Sequence, residues 1–433
     1  MIKKYIYLVS IFSLLFTTTI AQISIGTKAE PHPSAILDLI SSDKGALIPK
    51  MKTSQRKNIS NPADGLCVYD TDENRLFFYS AKEQKWNGTG EIPDTRQMPD
   101  KSPKNGTKVK NVILMIGDGM GFSQVQAGMM SKSDYLTMTT FPYTGIVQTY
   151  SYDNKTTDSA ASATAMSTGV KTKNYYVGVD PSGATLTTIT EEAKQHGLST
   201  GIVVTSYVTH ATPAAFYAHR KSRDDKVNIA ADFVNRRSVD VCIGGGPTHF
   251  TTAQNNTLRS NGYQVVSSLD DITSSATKVF ALLANEHMPR MSGGRGNMLS
   301  QATAKTLEIL SKNENGFFLM VEGSQIDFAG HNHDAKYMME ELVDFDNAVE
   351  TVKKFAEKEG NTLVIVTADH ENGGLIVFGD EKLETYYSRR EGVYGAHTSA
   401  PVPLFALGPG AENFTGFINN IDIHAKIKVL LGF

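Results

Sequence analysis

Acidic, histidine and hydroxyl side chains follow four short apolar runs of the sequence. The runs lie in NVILMIGDGMG, TGIVVTSYVTHATPAAF, GFFLMVEGSQIDFAGHNHD and NTLVIVTADHENGG, and the residues at their ends are Asp118, His210, Thr212, Glu322, Asp327, His331, Asp369 and His370. In an open parallel sheet the carboxyl ends of the strands form one edge, where ligands bind. Carboxylate and imidazole donors together suit zinc with a harder cation such as magnesium. The pattern therefore predicts a metal site at that edge.

The prediction depends on the whole set, because a single carboxylate after a strand is more often a helix cap than a ligand. Asp327 and His331 are spaced i, i+4, which places both on one face if the segment is helical. Asp369 and His370 are adjacent, and the glycine pair that follows them allows close approach of the backbone. The competing metal signatures H-E-x-x-H and C-x-x-C are absent from the sequence.

The segment TTDSAASATAMSTGVKT, residues 156–172, has two interpretations. Its composition is typical of a solvated linker rich in small residues. Alternatively, a helix begins after Asp158 and places Ser159 at its N-terminus, where the dipole and free N–H groups favour an anion. A zinc ion nearby would lower the pKa of the hydroxyl, so that Ser159 acts as a nucleophile without a histidine base. No G-x-S-x-G segment occurs, which disfavours a catalytic triad.

The elements that would position these residues begin near residue 110. From there short apolar runs alternate with longer helical patterns, which predicts an α/β fold with a central, mainly parallel sheet flanked by helices on both faces. One helix is clear in AKYMMEELVDFDNAVETVKKFAEKEG, where apolar residues recur at three-to-four spacing up to Gly360.

The rest of the chain divides into three segments. Residues 1–21 have two lysines, an apolar stretch and small residues before a cut after Ala21, which predicts a signal peptide and an exported protein, periplasmic or secreted. Residues 22–92 form a small β-rich module with a hairpin signal in GLCVYDTDENRLFFYSAKEQKW. Residues 93–109 contain prolines and many charges and are interpreted as a linker. Residues 110–433 form the domain that carries the chemistry.

Composition limits the partners. The formal net charge of −3, without a run of lysine or arginine, indicates no nucleic-acid surface. We expect no membrane span after the leader. Cys67 and Cys242 lie far apart without metal-site spacing, and we interpret both as small buried apolar residues.

Five ordered segments resemble the motifs of the alkaline phosphatase family. They are TDSAASATAMSTGVKT, IGDGMG, VEGSQID with the histidine that follows it, TADHENGG and GAHTSAPVPLFALGPG. The resemblance covers about residues 110–433 and implies an alkaline phosphatase-like fold. It also implies hydrolysis of small phosphate monoesters to an alcohol and inorganic phosphate through a phosphoserine intermediate, at a site with two zinc ions and one magnesium ion.

The resemblance assigns a role to each matched residue. Ser159 is the nucleophile, and Arg223 in AHRKSRDD falls where the family keeps an arginine that clamps phosphate, since a guanidinium fork suits two phosphate oxygens. The implied ligands are Asp327, His331 and His397 for the first zinc, Asp118, Asp369 and His370 for the second, and Asp118, Thr212 and Glu322 for magnesium. The competing interpretation of Arg223 is a solvated surface side chain beside Arg220.

Two positions depart from branches of the family. His210 occupies a place where aspartate also occurs, which affects the metal preference of the third site. Phe328 follows Asp327 where lysine, histidine or tryptophan is familiar, so we expect product release and the pH optimum to differ. The segment between Gly374 and His397 leaves little room for the crown insertion that some family members carry. The resemblance therefore neither predicts nor excludes a homodimer.

Two other functions remain as alternatives. A phosphodiesterase of the same superfamily would keep the fold but lack the magnesium set of Glu322 and Thr212. An inactive surface-binding protein would use residues 22–92 as its working part, although every matched position of the larger domain keeps a competent side chain. A sulfatase is disfavoured, since no C/S-x-P-x-R segment surrounds Ser159.

Overall fold

The computed structural model describes most of the chain. The described residues are 23–25, 37–39, 47–73, 75–88, 108–132, 135–379, 383–387 and 396–433. The predicted leader and residues 93–107 of the predicted linker lie outside them. The chain divides into two compact units, Met1–Pro99 and Asp100–Phe433. Within the described part, no helix combines the length and the apolarity needed to cross a bilayer.

The first unit is built mainly of short strands. Its elements are β1 (Ile23–Ile25), β2 (Leu37–Leu39), β3 (Lys50–Met51), α1 (Thr53–Lys57), β4 (Cys67–Asp70), β5 (Arg75–Ser80) and β6 (Lys85–Gly88). The predicted hairpin is present as β4 and β5, which pair antiparallel within a sheet of order β3-β4-β5-β6. Arg56 is buried under this sheet, where it pairs with Asp70 at 2.8 Å and lies 3.6 Å from the ring centre of Phe77.

The second unit contains one large sheet and the longer helices. Its strands are β7 (Asn111–Gly117), β8 (Tyr143–Gln148), β9 (Ser199–Tyr207), β10 (Val241–Gly245), β11 (Gln264–Val266), β12 (Val279–Leu282), β13 (Phe317–Gly323), β14 (Thr362–Thr367), β15 (Glu371–Asn372), β16 (Ile376–Gly379), β17 (Leu383–Tyr386), β18 (His397–Thr398), β19 (Val402–Leu407) and β20 (Gly416–Asn419). Its helices are α2 (Phe122–Ser131), α3 (Ser159–Thr168), α4 (Ile189–Gln195), α5 (Ala211–Ala214), α6 (Lys226–Arg236), α7 (Thr252–Ser260), α8 (Met298–Leu310), α9 (Gln325–His331), α10 (Ala335–Glu359) and α11 (Asn420–Leu431).

Ten strands form the large sheet in the order β11-β12-β10-β9-β13-β7-β14-β19-β8-β20. All neighbouring pairs are parallel except those that β19 makes with β14 and β8. Every residue of β7, β13 and β14 is buried, which explains why these strands are apolar runs without alternation. The predicted α/β fold with a mainly parallel sheet is confirmed.

The helices follow the local signals of the sequence. The predicted long helix is α10, and it ends where Gly360 adopts a left-handed φ of +74°, a conformation that glycine reaches without steric cost. Helix α3 begins at Ser159, and the Asp158 side chain caps it by accepting from the backbone N–H of Ala161. All ten residues of α3 are buried, so the linker interpretation of this segment is wrong.

The two cysteines differ in their surroundings. Both are free thiols, and Cys242 is fully buried in β10, as predicted. Cys67 is only half-buried, so the prediction of a buried side chain is wrong there. The reason is that β4 alternates between the buried residues Val68 and Asp70 and half-buried ones on its other face.

Candidate active site

Seven of the ten predicted site residues lie at or soon after the carboxyl ends of four adjacent strands of the large sheet, in the order β9-β13-β7-β14, whereas Ser159, Arg223 and His397 lie on other segments. Asp118 directly follows β7, and Glu322 is the penultimate residue of β13. Asp369 and His370 follow β14, while His210 and Thr212 follow β9. The parallel arrangement therefore brings side chains from distant parts of the sequence to one edge of the sheet.

The first cluster joins Asp327, His331 and His397. Asp327 and His331 lie one turn apart on α9, with His331 Nε2 3.2 Å from Asp327 Oδ2. His397, at the start of β18, places its Nε2 atom 3.4 Å from Asp327 Oδ1 and 3.2 Å from His331 Nε2. The carboxylate and the two ring nitrogens thus lie close to one another, and the set of donor atoms within 4.8 Å of each other joins Asp327 and His397 with His370 as well.

The second cluster surrounds the serine. His370 Nε2 lies 3.4 Å from Asp118 Oδ1, 3.3 Å from Asp369 Oδ2 and 3.2 Å from Ser159 Oγ. Ser159 is the first residue of α3, so its hydroxyl stands at the N-terminus of a ten-residue helix. The helix dipole there favours an anion next to the hydroxyl.

The third cluster lies around Glu322. One donor atom each from Asp118, His210 and Glu322 falls within 4.8 Å of the others. Burial raises the pKa of Glu322 to about 8, and the hydroxyls of Ser324 and Thr212 act in the opposite direction. The structure therefore adds His210 to the set predicted for this cluster and keeps Thr212 beside it.

The donor set fits bound cations. Both carboxylate oxygens of Asp118, both of Glu322 and Oδ2 of Asp369 are buried, and none has a hydrogen-bond partner in the described ranges. Burial, followed by the charge of Asp369, raises the pKa of Asp118 well above its ordinary value, and burial raises that of Asp369 to about 6. Buried carboxylates without partners are costly, and cations coordinated between them would remove that cost.

The histidines respond to the same electrostatics. Although burial lowers it, the hydrogen bond and charge of Asp327 raise the pKa of His397 to about 9. Burial lowers the pKa of His370 well below its ordinary value, so its ring is neutral and available as a ligand. Burial, aided by the neighbouring Arg223, does the same for His210.

Arg223 lies beside these clusters rather than on open surface. Its Nη1 donates to Asp158 Oδ2 at 3.1 Å, and its Nη2 lies 3.3 Å from His210 Nε2. Its side chain is 19% exposed, against 31% for Arg220, which pairs with Asp232 instead. The guanidinium is thus held next to the residue that precedes Ser159.

Two supporting residues were not predicted from the sequence. Asn372 donates from Nδ2 to the backbone oxygen of Asp327 at 2.9 Å and also to its carboxylate, which orients the ligand. Asp158 both caps α3 and holds Arg223. Asp158 was visible as an N-cap residue before a helical run, whereas no local signal reveals the partner of Asn372.

The aromatic residue Phe328 lies against histidine rings. Its ring packs edge-on to His210 at 5.7 Å and to His287 at 4.6 Å between ring centres. His287 was not singled out in the sequence, since a lone histidine far from any motif gives no signal. Because a phenyl ring has no polar group, Phe328 offers no hydrogen bond where it packs against His210 of the third cluster.

Family models match both units of the chain. The model described as alkaline phosphatase matches residues 109–392, and the model described as phage tail like trimerisation region matches residues 24–103. The first match covers well over half of the chain and includes nine of the ten predicted site residues, all except His397.

Individual relatives agree with the larger match. Alkaline phosphatase 3 of Bacillus subtilis (strain 168) is 32% identical over 78% of this chain and 92% of its own length. The solved structure of alkaline phosphatase from the Antarctic bacterium TAB5 is 39% identical, with a TM-score of 0.71, over 75% of this chain and 99% of that chain. A histidine-to-aspartate mutant of the TAB5 enzyme, with Mg bound in its M3 site, is 38% identical, with a TM-score of 0.70, over 76% and 99%. The chain therefore belongs to the alkaline phosphatase family and is a phosphatase.

Proposed function

We propose that the protein hydrolyses small phosphate monoesters to an alcohol and inorganic phosphate through a phosphoserine intermediate on Ser159. The observation that carries this proposal is the position of the Ser159 hydroxyl. It stands at the N-terminus of α3, 3.2 Å from His370 Nε2, where the second cluster meets it. A hydroxyl beside cation ligands is an arrangement that suits phosphoryl transfer to a serine, since metal coordination is one way to activate the nucleophile.

Three cation sites are part of the proposal. The first zinc would be held by Asp327, His331 and His397, the second by Asp118, Asp369 and His370, and magnesium by Asp118, Thr212 and Glu322. When bound, these ions would lower the pKa of the serine hydroxyl and of water and would stabilise charge on the phosphoryl oxygens. Mg is bound in the M3 site of TAB5 mutants in which a histidine is replaced by aspartate or glutamate. This chain has His210 beside the third cluster, so the proposal of magnesium there rests on the oxygen donors of Asp118, Thr212 and Glu322.

The residues of the chain perform distinct tasks. Ser159 Oγ attacks phosphorus in line with the leaving alcohol and is regenerated when water attacks the phosphoserine. The N–H groups of Arg223 donate to two phosphoryl oxygens, and this bidentate contact fixes their orientation. Asp158 keeps the guanidinium beside the nucleophile through its 3.1 Å hydrogen bond. Most of the rate enhancement then comes from stabilising spread charge rather than from proton transfer.

Replacement of the nucleophile tests the proposal. Ser159→Ala should lower kcat for an aryl phosphate monoester at alkaline pH by about 10²-fold or more, because no hydroxyl remains to accept the phosphoryl group. Acid quenching of the wild type with labelled substrate should trap phosphoserine, which the variant cannot form. Ser167→Ala, which removes another buried hydroxyl of the same helix, is the control.

The result also separates the alternatives. A wild type that cleaves phosphodiesters in preference to monoesters would show the diesterase function instead. A metal-loaded wild type without activity on either would contradict the proposal. A fully active Ser159→Ala would leave the reaction standing and remove the assignment of the nucleophile.

We further propose that the protein is exported and that its first unit assembles three copies of the chain. The leader pattern of residues 1–21 supports export, and fractionation of cells would test it.

The match of residues 24–103 to a phage tail like trimerisation region supports assembly of three copies. The small sheet has a face suited to it, since Phe78 is 42% exposed beside its cross-strand partner Cys67.

A further inference from the structure

Helix α3 carries a second serine that contacts the backbone of the second cluster. Ser162 lies one turn after Ser159, is 1% exposed and donates from Oγ to the backbone oxygen of Asp369 at 2.7 Å. The same helix therefore meets the Asp369–His370 segment twice, once through Ser159 Oγ at His370 Nε2 and once through Ser162.

Ser162 is itself held by the last helix of the chain. Asn420, the first residue of α11, is fully buried and donates from Nδ2 to Ser162 Oγ at 3.0 Å. The Nζ atom of Lys171 donates to Asn420 Oδ1 at 2.6 Å and to the backbone oxygen of Tyr150. These contacts form one continuous chain from Lys171 through Asn420 and Ser162 to Asp369.

The direction of every hydrogen bond in this chain is fixed. The carbonyl of Asp369 at one end can only accept, and Lys171 at the other end donates both as an ammonium and as an amine, so the amide oxygen of Asn420 must face Lys171 and its NH₂ must face Ser162. The Ser162 oxygen therefore accepts from Asn420, and its single proton is left for the carbonyl of Asp369. Chains of hydrogen bonds with one direction strengthen each other in a buried setting.

Asp369 is the end point of these contacts. Its Oδ1 atom accepts from the backbone N–H of Gly119 at 3.1 Å and from that of His370 at 2.9 Å. Its carbonyl oxygen accepts from Ser162. Of the three oxygens of Asp369, Oδ2 alone has no hydrogen bond within the described part of the chain, and it faces His370 Nε2 at 3.3 Å. The contacts around Asp369 thus leave one oxygen for a cation and fix the rest of the residue.

We propose that Lys171, Asn420 and Ser162 are positioning residues that set the place of Asp369 and His370 relative to the Ser159 hydroxyl. The inference rests on the proposed zinc site of Asp118, Asp369 and His370. None of the three residues touches the substrate, and they act by orienting a ligand, as the outer contacts of metal ligands commonly do.

A matched pair of serine variants tests the positioning role of these hydrogen bonds. Ser162→Ala should lower the zinc affinity of the second site, measured by competition with a chromophoric chelator, by about 10- to 100-fold. At saturating zinc it should lower kcat and leave KM unchanged. Ser167→Ala is the control, because Ser167 is equally buried on α3 and donates to the backbone oxygen of Ala215 rather than to Asp369.

Asn420→Asp tests the direction of these hydrogen bonds with a side chain of the same shape. The introduced carboxylate still accepts from Lys171, but it cannot donate to Ser162, whose proton then turns toward that carboxylate and leaves the carbonyl of Asp369. We expect the same loss of zinc affinity as in Ser162→Ala. If Ser162→Ala does not fold, Asn420→Asp decides the question alone.

The outcomes separate this inference from the proposed function. A wild type that binds no zinc would remove the metal site on which both depend. If the wild type binds zinc, and Ser162→Ala and Asn420→Asp stay within twofold of it in zinc affinity and kcat, the positioning role is overturned while the proposed function stands. An equal loss in Ser167→Ala would show a general packing effect and would also overturn the positioning role.

Discussion

Arg223 shares its guanidinium between two partners at the edge of the candidate site. One hydrogen bond goes to the Asp158 carboxylate, and the other contact is to the ring nitrogen of His210. Although burial lowers it, the charge and hydrogen bond of Asp158 raise the pKa of Arg223, so the group stays charged. In the proposed reaction this charged guanidinium would donate to a phosphate beside Ser159.

Arg223→Ala should therefore weaken inhibition by inorganic phosphate. We expect the inhibition constant to rise about 10- to 100-fold, since a hydrogen bond to a charged group contributes about 1.5–3 kcal/mol. Steady-state inhibition measured with an aryl phosphate checks this. Arg220→Ala, which removes an arginine paired with Asp232, should leave inhibition unchanged. Unchanged inhibition in Arg223→Ala would instead support the surface interpretation of this residue.

At the scale of elements, the loop that follows α3 contacts the first residue of α11 through Lys171. Lys171 in this loop packs its ammonium 4.0 Å from the ring centre of Tyr150 and donates to Asn420. Burial lowers the pKa of Lys171 from 10.5 to about 8. The neutral amine keeps two N–H groups, so both hydrogen bonds persist after the proton is lost.

This pKa predicts how stability depends on pH. The folded-state pKa is lower than the unfolded one, so between about pH 8 and 10.5 the unfolded chain binds a proton that the folded chain has released, and stability rises with pH. Below about pH 8 both states are protonated, and the folded state carries the full cost of the buried charge.

Lys171→Met removes this titration and the two hydrogen bonds. The variant should therefore be more destabilised, relative to the wild type, at about pH 10 than at about pH 7. Urea unfolding at both pH values measures the difference, with Lys173→Met as the control for loss of a charge in the same loop. A destabilisation that shrinks as the pH rises would contradict the assigned pKa shift.

The same elements show how far the sequence determines the site. Helix α10 and its end at Gly360 were predictable, because apolar spacing and a terminal glycine are local signals. The ends of β7, β13 and β14 were predictable for the same reason. The contact of Ser162 with Asp369 was not, since it spans 207 positions and depends on how α3 packs against the sheet. The antiparallel place of β19 also depends on pairing between distant strands.

At the scale of the whole molecule, the candidate site exists only when the large sheet is complete. Gly119 N donates to Asp369 Oδ1 across 250 positions, and the two lie after neighbouring strands β7 and β14. The buried carboxylates of the clusters repel one another in the absence of cations. If cations bind these clusters as proposed, they bind only the folded state and would stabilise the second unit.

The proposed assembly of three copies through the first unit is tested by the mass of the protein in solution. If residues 24–103 associate three chains, light scattering after size exclusion should give about three times the 47.2 kDa of one chain, less the leader. Phe78→Lys places a charge on the exposed face of the small sheet, where burying it between copies would be costly, so smaller species should appear. Ser54→Lys adds the same charge at an exposed position of α1 and should leave the mass unchanged. A dimer or a monomer in the wild type would contradict the trimer, and a trimer that persists in Phe78→Lys would place the contact elsewhere in this unit.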